Sequence, residues 1–476
     1  MNSIKKNFAY NAAYQVLVFI IPLITTPYIS RILGATGIGV YSYSYSIAQY
    51  YVLFIMLGLN NYGNRTIAGV RDDRDALSKT FWSIYAMQIG LGIVVICIYA
   101  VYAFVLAKDR TAATIMLLYV LSACFDINWF FFGLERFKAT VIRNSAIKIL
   151  TAVSIFLFVK QPSDVYIYCT IMVVGMLVSQ LVLWPYVKTN TYFYRPKWDE
   201  IKIHIKPNTV LFLTVIAVSL FKIMDKIMLG MMADTEQVGF YESSERIISI
   251  PTAFVTALGT VMLPRMSNLK AKSDKGSSEL FFKSILFAMF LSSSMSFGIM
   301  AVAPVFVPLF YGKGFEICIT LFLILLPSCL FFAFGNVIRT QYLLPQQLDR
   351  IYVISAFLGA AVNIIINALL IPHMGSVGAA IGTLVAEAVV CVYQAYKIRH
   401  DVNIKGFVIN SLPFIVASIV MFVTIYNLRL SISNSIIELF TRVLLGALIY
   451  CIVVFGQYIL INKVFKRGWM KDIIKH

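Results

Sequence analysis

Acidic residues are scarce in this chain: 22 Asp and Glu stand against 40 Lys and Arg, and charged residues of both signs make up only 13% of its 476 positions. Soluble domains carry about 25%, so the polar surface that a water-soluble fold needs is missing. Histidine is nearly absent as well, with His204, His373, His400 and His476 the full set. No two of them stand at ligand spacing, and neither an HExxH helix nor a Walker loop occurs. These absences argue against metal catalysis and against ATP hydrolysis within the chain, and no cofactor is called for. The seven cysteines (Cys97, Cys124, Cys169, Cys318, Cys329, Cys391, Cys451) form no CxxC and fall inside apolar stretches, where they read as small buried hydrophobes. The first apolar stretch lacks an Ala-x-Ala cleavage site and reads as a retained helix.

What fills the chain is hydrophobic: 60% of residues, with a mean hydropathy of +0.82. Fourteen apolar stretches cover 8–33, 38–59, 80–106, 112–133, 139–160, 164–187, 208–231, 237–263, 281–311, 315–342, 350–370, 376–398, 407–427 and 436–461. A span requires about 20 such residues, so the expectation is an all-α polytopic membrane protein of fourteen transmembrane helices. With the N-terminus inside, the inner segments hold 28 of the Lys and Arg and the outer segments six. This asymmetry places both termini in the cytoplasm. It also accounts for the net charge of +18 without nucleic acid as a partner. Membrane lipids are the expected surroundings.

A short repeat divides the chain. Ile38-Gly39-Val40-Tyr41 recurs as Val238-Gly239-Phe240-Tyr241, each opening a span after a Leu-Gly pair, Leu33-Gly34 and Leu229-Gly230. Parallel repeats of this kind build secondary transporters. The expected organisation is an N-terminal six-helix lobe (1–187), a cytoplasmic connector (188–207), a C-terminal six-helix lobe (208–405), and two further helices with a basic tail (406–476). Pro22, Pro27, Pro251, Pro304, Pro308 and Pro327 lie within spans, where they mark kinks that serve either fixed packing or bending.

Polar groups inside the spans are the functional candidates. On a helix, Ser42, Tyr45, Ser46 and Gln49 share one face, and Asn363 and Asn367 form a shorter stripe; both fit either helix–helix hydrogen bonding or a sugar-lined cavity. Eleven charges are read as intramembrane: Lys148, Lys222, Lys226, Arg246, Arg339, Arg442, Asp126, Asp225, Glu242, Glu245 and Glu387. Each costs about 2.5–3.5 kcal/mol at a helix centre, so they must pair or line water. Lys222, Asp225 and Lys226 share a face at i, i+3 and i+4, as do Glu242, Glu245 and Arg246. Counted from the hairpin at 232–236, the two sets lie at matching depth. Their balanced charge fits structural pairing, ion coupling or gating better than a phosphate clamp. Arg442 has Glu438 four residues before it, which predicts a local ion pair.

Several segments resemble bacterial polysaccharide flippases, of the multidrug/oligosaccharidyl-lipid/polysaccharide exporter superfamily. They are Lys6-Asn7 with Tyr10-Asn11, Pro22-Leu23-Ile24-Thr25, 27–34, Tyr62-Gly63-Asn64-Arg65, 126–136, 225–230, 238–242, 256–265 and 375–383. The resemblance implies two six-helix bundles around a central cavity that alternate between inward- and outward-open states. It implies a bacterial cytoplasmic-membrane protein that carries an undecaprenyl-diphosphate-linked oligosaccharide to the outer leaflet. A proton or sodium ion would be the coupling ion, and a polysaccharide polymerase a partner. Arg31, Arg65, Lys148 and Arg339 are then the candidates for the anionic headgroup. Lys148, nine residues into its span, is the deepest of them without an evident partner. A cation-coupled drug antiporter of the same superfamily is the alternative. A membrane glycan polymerase or acyltransferase fits less well, because the outer loops leave little room for a catalytic site.

Overall fold

A computed structural model of the chain describes residues 2–271 and 276–464. The basic tail beyond 464, the side chains of Lys6, Asn7, Tyr10 and Asn11, and the side chain of Lys222 lie outside the described residues. Among the described residues every regular element is helical. In order these are α1 (Asn2–Met56), α2 (Leu59–Val70), α3 (Arg74–Val101), α4 (Arg110–Cys124), α5 (Asn128–Gly133), α6 (Phe137–Phe158), α7 (Val165–Leu181) and α8 (Trp198–Met232). There follow α9 (Thr235–Ala271), α10 (Gly276–Phe310), α11 (Ile317–Leu325), α12 (Ser328–Ile338), α13 (Asp349–Met374), α14 (Ser376–Ile398), α15 (Ile404–Tyr426) and α16 (Ser435–Val464). In hydrocarbon the backbone must satisfy its own donors and acceptors, which each helix does within itself.

Among the described residues, eleven helical segments are long and apolar enough to cross a membrane. Of the other expected spans, the first two fall on α1 and the seventh on α8. Gly34 divides α1: its φ of +65° with ψ of −176° breaks the helix between the two expected spans. Only glycine takes that conformation without penalty. Large apolar side chains stand exposed along the outer faces, such as Ile93, Val94 and Ile98 on α3 and Leu444, Ile452 and Phe455 on α16. That surface suits lipid. Cys97 and Cys451 sit on these exposed faces, so only the other five cysteines are buried; a thiol on a lipid-facing surface costs no more than any small apolar group.

The chain forms two units, 1–227 and 228–476, with the seam inside α8. The expected connector at 188–207 belongs wholly to the first unit, and so does most of the seventh expected span. Contacts explain this: Tyr50 donates to the Ser219 carbonyl at 3.3 Å, Phe54 meets Phe212 with ring centroids 5.3 Å apart, and Gly58 lies where a Cβ would come within 2.6 Å of Leu211. In the second unit, α15 and α16 dock on α10 through an apolar cluster of Ala301, Met421, Ile425 and Tyr450. Tyr450 donates to the Phe290 carbonyl at 3.1 Å. The repeated tetrapeptides are buried in their own units: Ile38 and Tyr41 are 2% and 5% exposed, Val238 and Tyr241 0% and 2%.

Candidate functional site

The expected fourth span is not one helix. α4 stops at Cys124, Phe125–Ile127 leave the helical path, and α5 starts at Asn128. A break inside the membrane frees backbone groups, each of which costs several kcal/mol if left unanswered, and here Gln88 of α3 and Trp184, beyond the end of α7, answer it. Gln88 of α3, fully buried, donates to the carbonyls of Ala123 at 2.7 Å and Asp126 at 2.9 Å. Trp129 Nε1 in turn donates to Gln88 Oε1 at 3.2 Å. Trp184 Nε1 donates to the Phe125 carbonyl at 3.1 Å. Asp126 turns its carboxylate onto the start of α5, accepting from the Asn128 backbone N–H at 3.0 Å and its Nδ2 at 2.7 Å.

Arg143 completes the network. It lies inside α6 and is 6% exposed. Its guanidinium donates to Ser179 O at 2.9 Å, to Asn128 Oδ1 at 2.9 Å and to Asn144 Oδ1 at 2.7 Å. Asn128 Nδ2 also reaches Gln180 Oε1 at 3.2 Å. Asn128 thus bridges a half-buried anion and a buried cation, fixing α5, α6 and α7 to one another. Such an arrangement supplies a charged, hydrogen-bonded hub in a span interior, where isolated charge would be untenable. Sequence reading missed Arg143, Gln88, Asn128 and Gln180. The signal available was amides interrupting apolar runs beside an intramembrane Asp.

Lys148 stands five residues beyond Arg143 on the same helix, half-buried, with no hydrogen bond or ion pair among the described residues. The other headgroup candidates are placed differently. Arg31 is exposed and donates to the Pro27 carbonyl of its own helix at 2.8 Å. Arg65 is exposed on α2. Arg339 begins a π-helical turn over Arg339–Leu343, where it bonds Asn336 Oδ1 and lies 5.3 Å from the Tyr352 ring centroid. π-turns recur at functional positions.

The serine–tyrosine face of α1 turns into the first unit. Ser42 and Ser46 are 3% and 0% exposed, Tyr45 stacks on Tyr119 at 4.8 Å and accepts its hydroxyl hydrogen bond at 3.2 Å, and Gln49 is half-buried. Asn363 and Asn367 are both fully buried, 3.1 Å apart through Nδ2 and Oδ1. Of the charges flanking the 232–236 hairpin, Asp225 is buried and Lys226 half-buried. Arg246 pairs within its own helix with Glu242 at 2.9 Å, and Glu245 is half-buried. Arg442 pairs with Glu438 at 2.8 Å as the spacing predicted, and also donates to the carbonyls of Ile425 and Leu428. Where the first unit meets its basic loops, Tyr62 Oη lies 2.6 Å from His204 Nδ1. Burial holds the His204 imidazole below its ordinary pKa.

Comparison with known proteins follows this geometry. A family model described as "Polysaccharide biosynthesis protein" matches residues 4–270. The chain is 20% identical over 404 residues to the "Putative O-antigen transporter" of Escherichia coli, covering 84% of this chain and 97% of that protein. It is 26% identical over 301 residues to the "Probable low-salt glycan biosynthesis flippase Agl15" of Haloferax volcanii, covering 62% of each. Among solved structures it is similar to "Lipid II flippase MurJ, inward closed conformation", with a TM-score of 0.72 at 15% identity, covering 95% of this chain and all of that one.

Proposed function

The chain belongs to the polysaccharide biosynthesis protein family, and on that premise we propose that it is a flippase for undecaprenyl-diphosphate-linked oligosaccharide. It would carry repeat units from the inner to the outer leaflet of a bacterial cytoplasmic membrane by alternating access, both termini remaining cytoplasmic. The observation that carries the reading is Lys148, a cation deep in a span that no acid neutralises among the described residues. A diphosphate moving through a low-dielectric interior needs such a fixed charge along its path, and a structural lysine would instead be paired. Arg143, held by four acceptor bonds one turn and a half earlier, keeps α6 in place and so sets where the Lys148 ammonium can reach. Relatives bearing transporter and flippase names over most of the chain support the same reading. A proton or sodium gradient is the energy source it calls for.

The test is complementation. In cells lacking their own oligosaccharide flippase, the wild-type chain should restore surface polysaccharide and clear lipid-linked precursor from the inner leaflet. Lys148→Ala should leave that precursor in place at normal protein abundance, and Lys148→Arg should restore part of the export. Full export by Lys148→Ala would remove the site assignment. Failure of the wild-type chain with every repeat unit tried, together with export of lipophilic cations, would favour the antiporter reading.

A further inference from the structure

The geometry points to a second anion site, on the basic-loop face of the first unit, that receives the diphosphate group of the cargo before translocation. A cavity of about 540 Å³ lies where the turn after α2, the turn between α5 and α6 and the segment at 189–190 converge. That is within the size range of small-ligand pockets. Arg71, Arg74 and Arg136 line it, together with Asp72 and Glu135. Guanidinium forks match phosphate oxygens bidentately, and three of them share this one cavity.

The cavity is built on a rigid seam. A Cβ at Gly63 would come within 2.6 Å of the Trp129 ring, and one at Gly133 within 2.6 Å of Ile67. α2 and α5 therefore touch along their glycines, and the turns that follow each are fixed side by side. The backbone then presents Glu135 in an unusual way. Arg136 N–H bonds the Phe131 carbonyl and Glu135 N–H the Phe132 carbonyl, both at 3.0 Å, a Schellman ending for α5 in which the left-handed position is normally glycine. Here it is Glu135, with φ of +56°, at a cost of about 1–2 kcal/mol. The side chain gained by that strain accepts from Arg71 Nη1 at 2.8 Å across the cavity.

The pair is breakable. Its partners are 37% and 67% exposed, and exposed pairs contribute only about 0–1 kcal/mol. Arg74 and Arg136 make no ion pair among the described residues, so the cavity already carries surplus positive charge. An arriving diphosphate would displace Glu135 from Arg71 and gain a third guanidinium. Identifying the ligand as lipid-linked rests on the flippase reading; the anion site itself does not.

The experiment is calorimetric titration of the purified full chain with inorganic pyrophosphate, in phosphatidylcholine nanodiscs with and without a polyprenyl diphosphate. Wild type should bind pyrophosphate, and the polyprenyl diphosphate should compete for the same site. Arg74→Gln with Arg136→Gln should weaken binding at least tenfold, on the order of one lost charge-assisted hydrogen bond, with unchanged thermal melting because both side chains are exposed. Glu135→Gln should tighten binding several-fold, an effect a purely structural latch would not produce. Equal binding by wild type and the double variant, or no tightening in Glu135→Gln, would overturn the site. Pyrophosphate binding without competition from the lipid would overturn the cargo assignment in favour of a free phosphate ligand. Loss of translocation by wild type in liposomes, with pyrophosphate binding intact, would count against the flippase reading and leave the anion site standing.

Discussion

Each unit contains a span that breaks partway inside the membrane, and the two breaks are answered with different chemistry. In the first unit, α4 ends at Cys124 and α5 begins at Asn128, with a half-buried aspartate in the gap and a buried arginine holding the restart. In the second, α11 ends at Leu325, Pro327 caps α12, and the span ends in a π-turn. There the groups at the break are neutral: Ser328 Oγ donates to the Leu325 carbonyl at 2.5 Å, and Ser292 Oγ to the Cys329 carbonyl just beyond it at 2.9 Å. A proline break costs one donor and needs little repair. A break with no proline needs groups that hold it open, and a carboxylate with a guanidinium does that at the risk of leaving charge exposed to lipid. At its broken span the first unit is therefore electrostatically committed, whereas the break in the second is answered by hydroxyls, and that unit keeps its charges elsewhere, in the Glu242–Arg246 and Glu438–Arg442 pairs.

The largest effect should come from removing one charge at the committed break. Arg143→Ala leaves Asp126 and Asn128 without their cation, and breaking a buried ionic hub costs about 3–5 kcal/mol. Thermal unfolding in detergent should show it. Adding Asp126→Asn should recover a good part of the loss. Ser292→Ala, its counterpart in the second unit, should cost only about 0.5–1.5 kcal/mol. Equal losses for Arg143→Ala and Ser292→Ala would erase the contrast between the units.

Helix seams give the next effect, and here the two units should behave alike. Gly63→Ala forces a methyl to within 2.6 Å of Trp129, and Gly382→Ala brings one to 2.1 Å from Asn367 Oδ1. Overpacking of this kind costs about 1–3 kcal/mol. Gly90→Ala, with nothing within 4 Å, is the neutral control. Reduced membrane abundance of the first two variants but not the third is the expected outcome.

A smaller, pH-dependent effect should again separate the units. Burial disfavours the charged form of His204, so its folded-state pKa lies below the unfolded value. The unfolded chain then binds the extra proton first, and stability present above about pH 6.5 falls as the pH is lowered through and below that value. His204→Gln should flatten this dependence. A pH profile unchanged by the substitution would mean that the Tyr62–His204 contact carries no linkage.

The fold was largely legible because a bilayer imposes length and polarity on every span. Hydropathy gave the helices, the Leu-Gly pair before Tyr41 placed the break that Gly34 makes, and the spacing of Glu438 and Arg442 gave their pair. Arg143 escaped because its sequence neighbours are those of a loop end, and only the packing of α7 shows that its head turns inward to Ser179. The seam inside α8 escaped for a related reason. A run of apolar residues states that a helix spans, not which neighbour its face will choose, and Phe212 and Ser219 choose α1. Glu135 could not be recognised as strained, since a Schellman ending is a backbone property that usually announces itself with glycine.

The central claim is that this chain moves a lipid-linked, diphosphate-bearing oligosaccharide and that Lys148 meets its charge. Reconstitution in liposomes with a fluorescent lipid-diphosphate oligosaccharide tests it most directly, by the fraction of label that an impermeant quencher reaches over time. Wild-type protein should equilibrate the label between leaflets, Lys148→Ala should stay near the rate of protein-free liposomes, and Lys148→Arg should fall between. Equal rates for wild type and Lys148→Ala, or no rate above protein-free liposomes for wild type, would contradict the account.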